Sequence, residues 1–98
     1  MAKSIMQQDD NTCYLCGANG TMDYLHWHHV FGGANRKWSE KYGLKVRLCG
    51  QQCHENGPNA VHRNKATADY LKEEAQRAFE RVHGTREDFI KIFGKNYL

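Results

Sequence analysis

The sequence contains no apolar run near the roughly 18 residues that a membrane span requires, and its polar start, Met1 to Asn11, holds no apolar signal-peptide region. These absences predict a cytoplasmic protein with no membrane partner. Internal repeats, low-complexity stretches and a domain linker are missing as well, which excludes repeat arrays and multidomain strings. With 98 residues the chain is too short to bury a large apolar core, so an additional staple is expected. Net charge is also small, at +3, but it is unevenly spread. Between Ala34 and Lys65, seven basic residues (Arg36, Lys37, Lys41, Lys45, Arg47, Arg63 and Lys65) face two acidic ones (Glu40 and Glu55), a local balance of +5. A basic block favours a polyanion, because each Lys or Arg that meets a phosphate releases condensed counterions. The competing reading is an ordinary solvated face.

Metal-ligand chemistry, by contrast, is abundant for the chain's size. Cys13-Tyr14-Leu15-Cys16-Gly17 is a C-x-x-C closed by glycine, and Cys49-Gly50-Gln51-Gln52-Cys53 is a C-x3-C. Thiolates at such spacings converge on one ion, and the glycine lets the backbone turn beneath it. In a reducing compartment, cysteine pairs of this kind read as zinc ligands before disulfides. Two disulfides are the alternative in an oxidising one, and a thioredoxin-type redox pair would need a βαβ context that is missing. Histidines crowd the stretch Leu25-His26-Trp27-His28-His29-Val30, with His54 and His62 downstream.

The pattern around these residues predicts an α+β fold. Met1 to Thr12 has no apolar period and is expected to be a flexible leader. Tyr24 to Val30 reads as a strand that puts His26 and His28 on one face and Trp27 and His29 on the other. Adjacent histidines that project differently suit one for binding metal and the other for proton transfer. Ala34 to Tyr42 is expected to be a loop or short helix ending at Gly43. Leu44, Val46 and Leu48 alternate with Lys45 and Arg47, predicting a second, antiparallel strand that runs into Cys49. Pro58 is placed to open a helix carrying His62. A longer helix over Arg63 to His83 presents Leu71, Ala75, Ala78, Phe79 and Val82 as a core stripe, with Gly84 as its cap. His83 sits at the helix end as a cap, not a ligand. Thr85-Arg86-Glu87-Asp88 is a near capping box that opens a last helix, packing Phe89, Ile92 and Phe93 inward before Gly94.

Taken together, Cys13-x-x-Cys16, His28-His29 ending a strand, Leu48-Cys49-x-x-x-Cys53-His54 and His62 resemble the HNH endonuclease superfamily, in particular its small phage and prophage members. The resemblance covers roughly Cys13 to His62. It implies a zinc-stapled ββα-metal (His-Me finger) core over residues 13–63, with residues 64–98 as a helical extension packed on it in a single domain. By the same resemblance His28, His54 and His62 would bind one catalytic divalent metal (Mg²⁺, Mn²⁺, Ni²⁺ or Zn²⁺), with His26 the competitor for the third position. His29 would be the general base that activates water, and Cys13, Cys16, Cys49 and Cys53 would hold a structural Zn²⁺. The implied activity is hydrolysis of phosphodiester bonds in double-stranded DNA with low sequence specificity, the motif lying across the minor groove and Arg36, Lys37, Arg47, Arg63 and Lys65 gripping phosphates. Lys45 stands where the family carries its asparagine, nine residues before His54, and would take over its place in the site; Asn35 is the alternative for that loop-stapling role. Seven residues separate His54 from His62, more than the family's usual three or so. The reading from another class is a zinc-stabilised DNA-binding or interaction module without catalysis.

Overall fold

A computed structural model describes residues 3–98 and has the element order β1 (Leu25–His29), a single 3-10 turn (Gly33–Asn35), α1 (Arg36–Tyr42), β2 (Lys45–Cys49), a π-helical turn (Gly50–Glu55), α2 (Lys65–Val82) and α3 (Arg86–Phe93). The fold is a small α/β mixture: one two-stranded sheet with helices, plus a cluster of four cysteines. Among the described residues, no helix is long and apolar enough to cross a membrane.

β1 and β2 pair antiparallel, as their alternation predicts, with His26 opposite Leu48, Trp27 opposite Arg47, His28 opposite Val46 and His29 opposite Lys45. Directly opposed residues share a face. One face therefore carries His26, His28, Val46 and Leu48, and the other carries Trp27, His29, Lys45 and Arg47. Between the strands, Gly43 ends α1 with φ 72°, a left-handed conformation that a residue with a Cβ adopts only under strain. The loop after β1 is held by Ser39, which is fully buried: its hydroxyl donates to the Phe31 carbonyl at 2.8 Å and accepts from the Phe31 N–H at 3.0 Å.

The leader segment is stitched to this hairpin. Ile5 N–H donates to the Gly43 carbonyl at 2.9 Å, the Ser4 hydroxyl to the Lys45 carbonyl at 2.5 Å, and Arg47 N–H to Gln7 Oε1 at 2.9 Å. Two of the polar residues that gave this stretch no apolar period, Ser4 and Gln7, supply side-chain bonds to the hairpin.

The core joins Leu44, Val46 and Leu48 to Leu71, Ala75 and Phe79 of α2 and to Phe89 and Phe93 of α3. Phe31 closes the aromatic cluster, with its ring centroid 4.6 Å from that of Phe93. Val82, expected in the α2 stripe, is 57% exposed because the helix ends there and α3 packs one turn earlier, on Phe79. Gln76 is a buried polar residue of α2; it donates to Glu80 and Asn96 and accepts from the Tyr97 N–H, anchoring the end of the chain. α3 begins with the full capping box of Thr85 and Asp88. Phe89 is completely buried, so Phe89→Ala is expected to cost about 3–5 kcal/mol in urea unfolding.

One expected helix is not formed. Pro58 heads a tight turn, with Ala60 N–H donating to the Gly57 carbonyl, and α2 starts only at Lys65, where the Asn64 side chain caps Thr67 N–H at 3.2 Å. The intervening chain is folded back on the π-helical turn: Val61 N–H donates to the Cys53 carbonyl at 2.8 Å and His62 N–H to the His54 carbonyl at 3.2 Å. Gly57 permits this, since the Gln52 carbonyl leaves no room for a Cβ there. His54 and His62 thereby lie side by side instead of being spaced along a helix.

Candidate metal centres

The four cysteines come from the segment before β1 and from the end of β2 with the turn that follows it. Cys13 and Cys16 sit on a turn tied to β2 through Tyr14 N–H and the Arg47 carbonyl at 2.8 Å, while Cys49 ends β2 and Cys53 lies in the π-helical turn. Their sulfurs all lie within 4.8 Å of one another. Cys16 Sγ and Cys49 Sγ are 3.4 Å apart and all four cysteines are free. This is far beyond a disulfide bond of about 2.05 Å, and close to the roughly 3.8 Å edge of a tetrahedron with metal–sulfur bonds of about 2.3 Å. The acidities point the same way. Burial tends to raise Cys13, but N–H groups of Cys16, Cys49 and Leu15 directed at its sulfur bring it down to about 7. Burial, followed by the neighbouring thiols, pushes Cys49 up to about 12 and raises Cys53 as well. Four crowded sulfurs without a cation cannot share negative charge; a divalent cation resolves the conflict by coordinating them as thiolates. The donor set therefore fits a structural metal such as zinc.

A second convergence lies on the His28 face of the sheet. Ring nitrogens of His28, His54 and His62 all fall within 4.8 Å of one another, and His54 Nε2 is 3.0 Å from His62 Nε2. His28 is buried; burial, and after it the adjacent His54 and His62 rings, push it down to about 3. Burial likewise lowers His54. Both are thus neutral at physiological pH, the form in which imidazole binds metal. His26 stands on the far side of His54, its Nδ1 3.2 Å from His54 Nδ1. The turn that brings His62 in makes it, and not His26, the third member of the cluster with His28 and His54.

His29 points to the opposite face, as strand alternation requires. Its Nε2 lies 3.0 Å from Glu40 Oε1, and the other oxygen of Glu40 accepts from Lys45 Nζ at 2.8 Å. These bonds, that to Lys45 foremost, hold the Glu40 carboxyl down to about 2. Lys45 is 1% exposed and lies over the Trp27 ring, and it is linked to His29 through the shared carboxylate of Glu40. The loop after β1 is bonded by Ser39 through Phe31, Lys45 bonds Glu40, and the Asn35 amide donates to the Phe93 carbonyl at 3.3 Å.

A cleft of about 300 Å³ runs past His28, His29 and His62 and is flanked by Arg36 and Lys72. Lys72 on α2 was outside the basic block defined by sequence, and only the packing of α2 brings it to the histidines. Arg63 follows His62, with its guanidinium on the Asn56 carbonyl at 3.4 Å. Lys65 is exposed and pairs with Asp69, and Lys37 lies over Trp38. Arg47 belongs elsewhere: it is on the Trp27 face, bonded to the Leu25 carbonyl at 3.3 Å with its guanidinium 4.4 Å above the Trp27 ring. A larger groove of about 570 Å³ also opens beside Trp27 and Lys45, lined by Lys3, Ser4 and Gln7. It gathers no ligand-type cluster, so the smaller cleft is the chemical candidate. Glu40 and Ser39 were missed by sequence reasoning because nothing in their local pattern distinguishes them from other polar residues of α1.

No protein-family model matches the chain, and no curated protein or solved structure matches it significantly.

Proposed function

We propose that this protein is a metal-dependent endonuclease of the HNH type, with a ββα-metal core, that hydrolyses phosphodiester bonds of DNA. The observation that carries this reading is the pairing of a three-histidine cluster with a separate histidine, His29, which lines the same cleft and is held by a carboxylate. In this reading His28, His54 and His62 hold the catalytic cation, which when bound supplies positive charge to the scissile phosphate and the leaving oxygen.

The remaining work falls to the chain itself. An ionised Glu40 accepts a hydrogen bond, so it fixes the proton of neutral His29 on Nε2 and leaves Nδ1 as the basic nitrogen. Nδ1 takes the proton from water as its oxygen attacks phosphorus, the bond from phosphorus to the leaving sugar oxygen breaks, and that oxygen takes a proton from solvent. Lys45 keeps Glu40 charged and its carboxylate in place. Arg36 and Lys72 receive the phosphates on either side of the cleft, with Arg63, Lys65 and Lys37 extending the basic surface for backbone contacts that need no base reading. The four thiolates hold zinc as scaffold, fixing β2 and the π-helical turn so that His54 meets His28.

The test is nicking of supercoiled plasmid by the full chain in Mg²⁺, Mn²⁺ or Ni²⁺. Absence of nicking in all three would leave the rival reading, a zinc-stabilised module without catalysis. Glu40→Gln is expected to slow nicking about tenfold or more, because a neutral amide can hold either tautomer of His29, with metal content unchanged. A rate equal to wild type across the pH profile would remove Glu40 from the site.

A further inference from the structure

We infer a second cation site on the outer side of the histidine cluster, formed by His26 Nδ1, His54 Nδ1 and the Glu55 carboxylate, and sharing His54 with the inner site. His54 presents both ring nitrogens to other donors. Its Nε2 is 3.0 Å from His62 Nε2, while its Nδ1 is 3.2 Å from His26 Nδ1 and 3.5 Å from Glu55 Oε1. One ligand atom from each of His26, His54 and Glu55 lies within 4.8 Å of the other two.

This convergence is imposed by the backbone and not by chance proximity of long side chains. His26 projects from β1 opposite Leu48, on the face that carries His28. Its ring lies across Gly50, where a Cβ would fall 2.6 Å from both Cε1 and Nε2 of the imidazole. The turn carrying His54 and Glu55 is in turn fixed at its start by Asp23, whose carboxylate accepts from Gln51 N–H and Gln52 N–H at 2.9–3.1 Å. Glu55 brings to the outer site the negative charge that the three inner histidines lack.

Two imidazoles and one carboxylate suit a borderline divalent cation, Zn²⁺ or Ni²⁺, over Mg²⁺, which prefers oxygen. His26 and Glu55 are exposed, so the outer cation enters from solvent without opening the core. When it binds, the Nδ1 proton of His54 passes to solvent, and the ring joins the two sites.

The inference concerns coordination alone and does not require the nuclease reading. Native mass spectrometry of the full chain titrated with Zn²⁺ tests it. His26→Ala and Glu55→Gln are each expected to bind one equivalent fewer than wild type, with the inner and thiolate ions retained and the far-UV circular dichroism unchanged. His28→Ala is expected to lose the inner ion and keep the outer one. Stoichiometry unchanged in both His26→Ala and Glu55→Gln, or loss of both histidine-bound equivalents in His28→Ala, would overturn the site and leave only a His26–His54 hydrogen bond. Failure of the nuclease reading would appear separately, as absent nicking at unaltered stoichiometry.

Discussion

His29→Ala is expected to lower plasmid nicking by about 10²–10⁴-fold, the usual contribution of a positioned general base, while the metal content of the protein stays at the wild-type level. The two halves of this outcome must be read together. His29 projects to the sheet face opposite His28 and bonds to Glu40, not to the three-histidine cluster. Its loss therefore removes a proton acceptor without removing a ligand. His28→Ala, by contrast, should abolish nicking through loss of the inner cation. Equal nicking by wild type and His29→Ala would remove the histidine-base mechanism. A His29→Ala variant that had lost the inner cation would move His29 from base to ligand.

The second large effect is on folding. Removing zinc with a strong chelator, or replacing Cys13 or Cys49 with alanine, is expected to unfold the domain. A structural zinc contributes an apparent binding free energy of about 10–16 kcal/mol, which is comparable with the whole stability of a small domain, about 5–15 kcal/mol. The coupling is direct in this fold. Cys49 ends β2 and Cys53 lies in the turn that delivers His54, while Cys13 pins the preceding segment, its own N–H bonded to the Ala18 carbonyl at 2.8 Å. In the folded chain, buried Cys13, Cys49 and Cys53 are crowded with the exposed Cys16 and their acidities are pulled apart, an arrangement that favours unfolding once the ion is removed. Far-UV circular dichroism and zinc content, measured together, check the expectation. A Cys49→Ala protein that stays folded with an unchanged zinc equivalent would contradict a four-thiolate centre.

Much of the arrangement is written in local pattern. Period-two alternation in Leu44 to Leu48 and the histidine run of β1 specified two strands and the faces of His28 and His29. The Thr85–Asp88 box and Gly43 marked element ends that depend only on nearby backbone groups. Cysteine spacing identified a thiolate set, because two ligands three or four residues apart can reach one ion whatever surrounds them.

Features that depend on distant partners were not legible in this way. The helix expected at Pro58 lost to hydrogen bonds that fold Val61 and His62 back onto Cys53 and His54, and no local signal reports bonds formed across a loop. Val82 lay on the predicted stripe, but the docking position of α3 left it in solvent.

The histidine-containing strand shows where the division falls. By itself the sequence determined that His28 and His29 point to opposite faces and that four cysteines can share an ion, since both follow from the period of the backbone and the reach of a side chain. The tertiary structure decided between His62 and His26 as the third member of the His28–His54 cluster, and it alone showed that Glu40 and Lys45 stand behind His29, that Lys72 replaces Arg47 at the cleft, and that His26 meets Glu55 around the far nitrogen of His54. Each of these requires two segments distant in sequence to be brought within a few ångströms, and packing of the hairpin, the turn and α2 sets that distance.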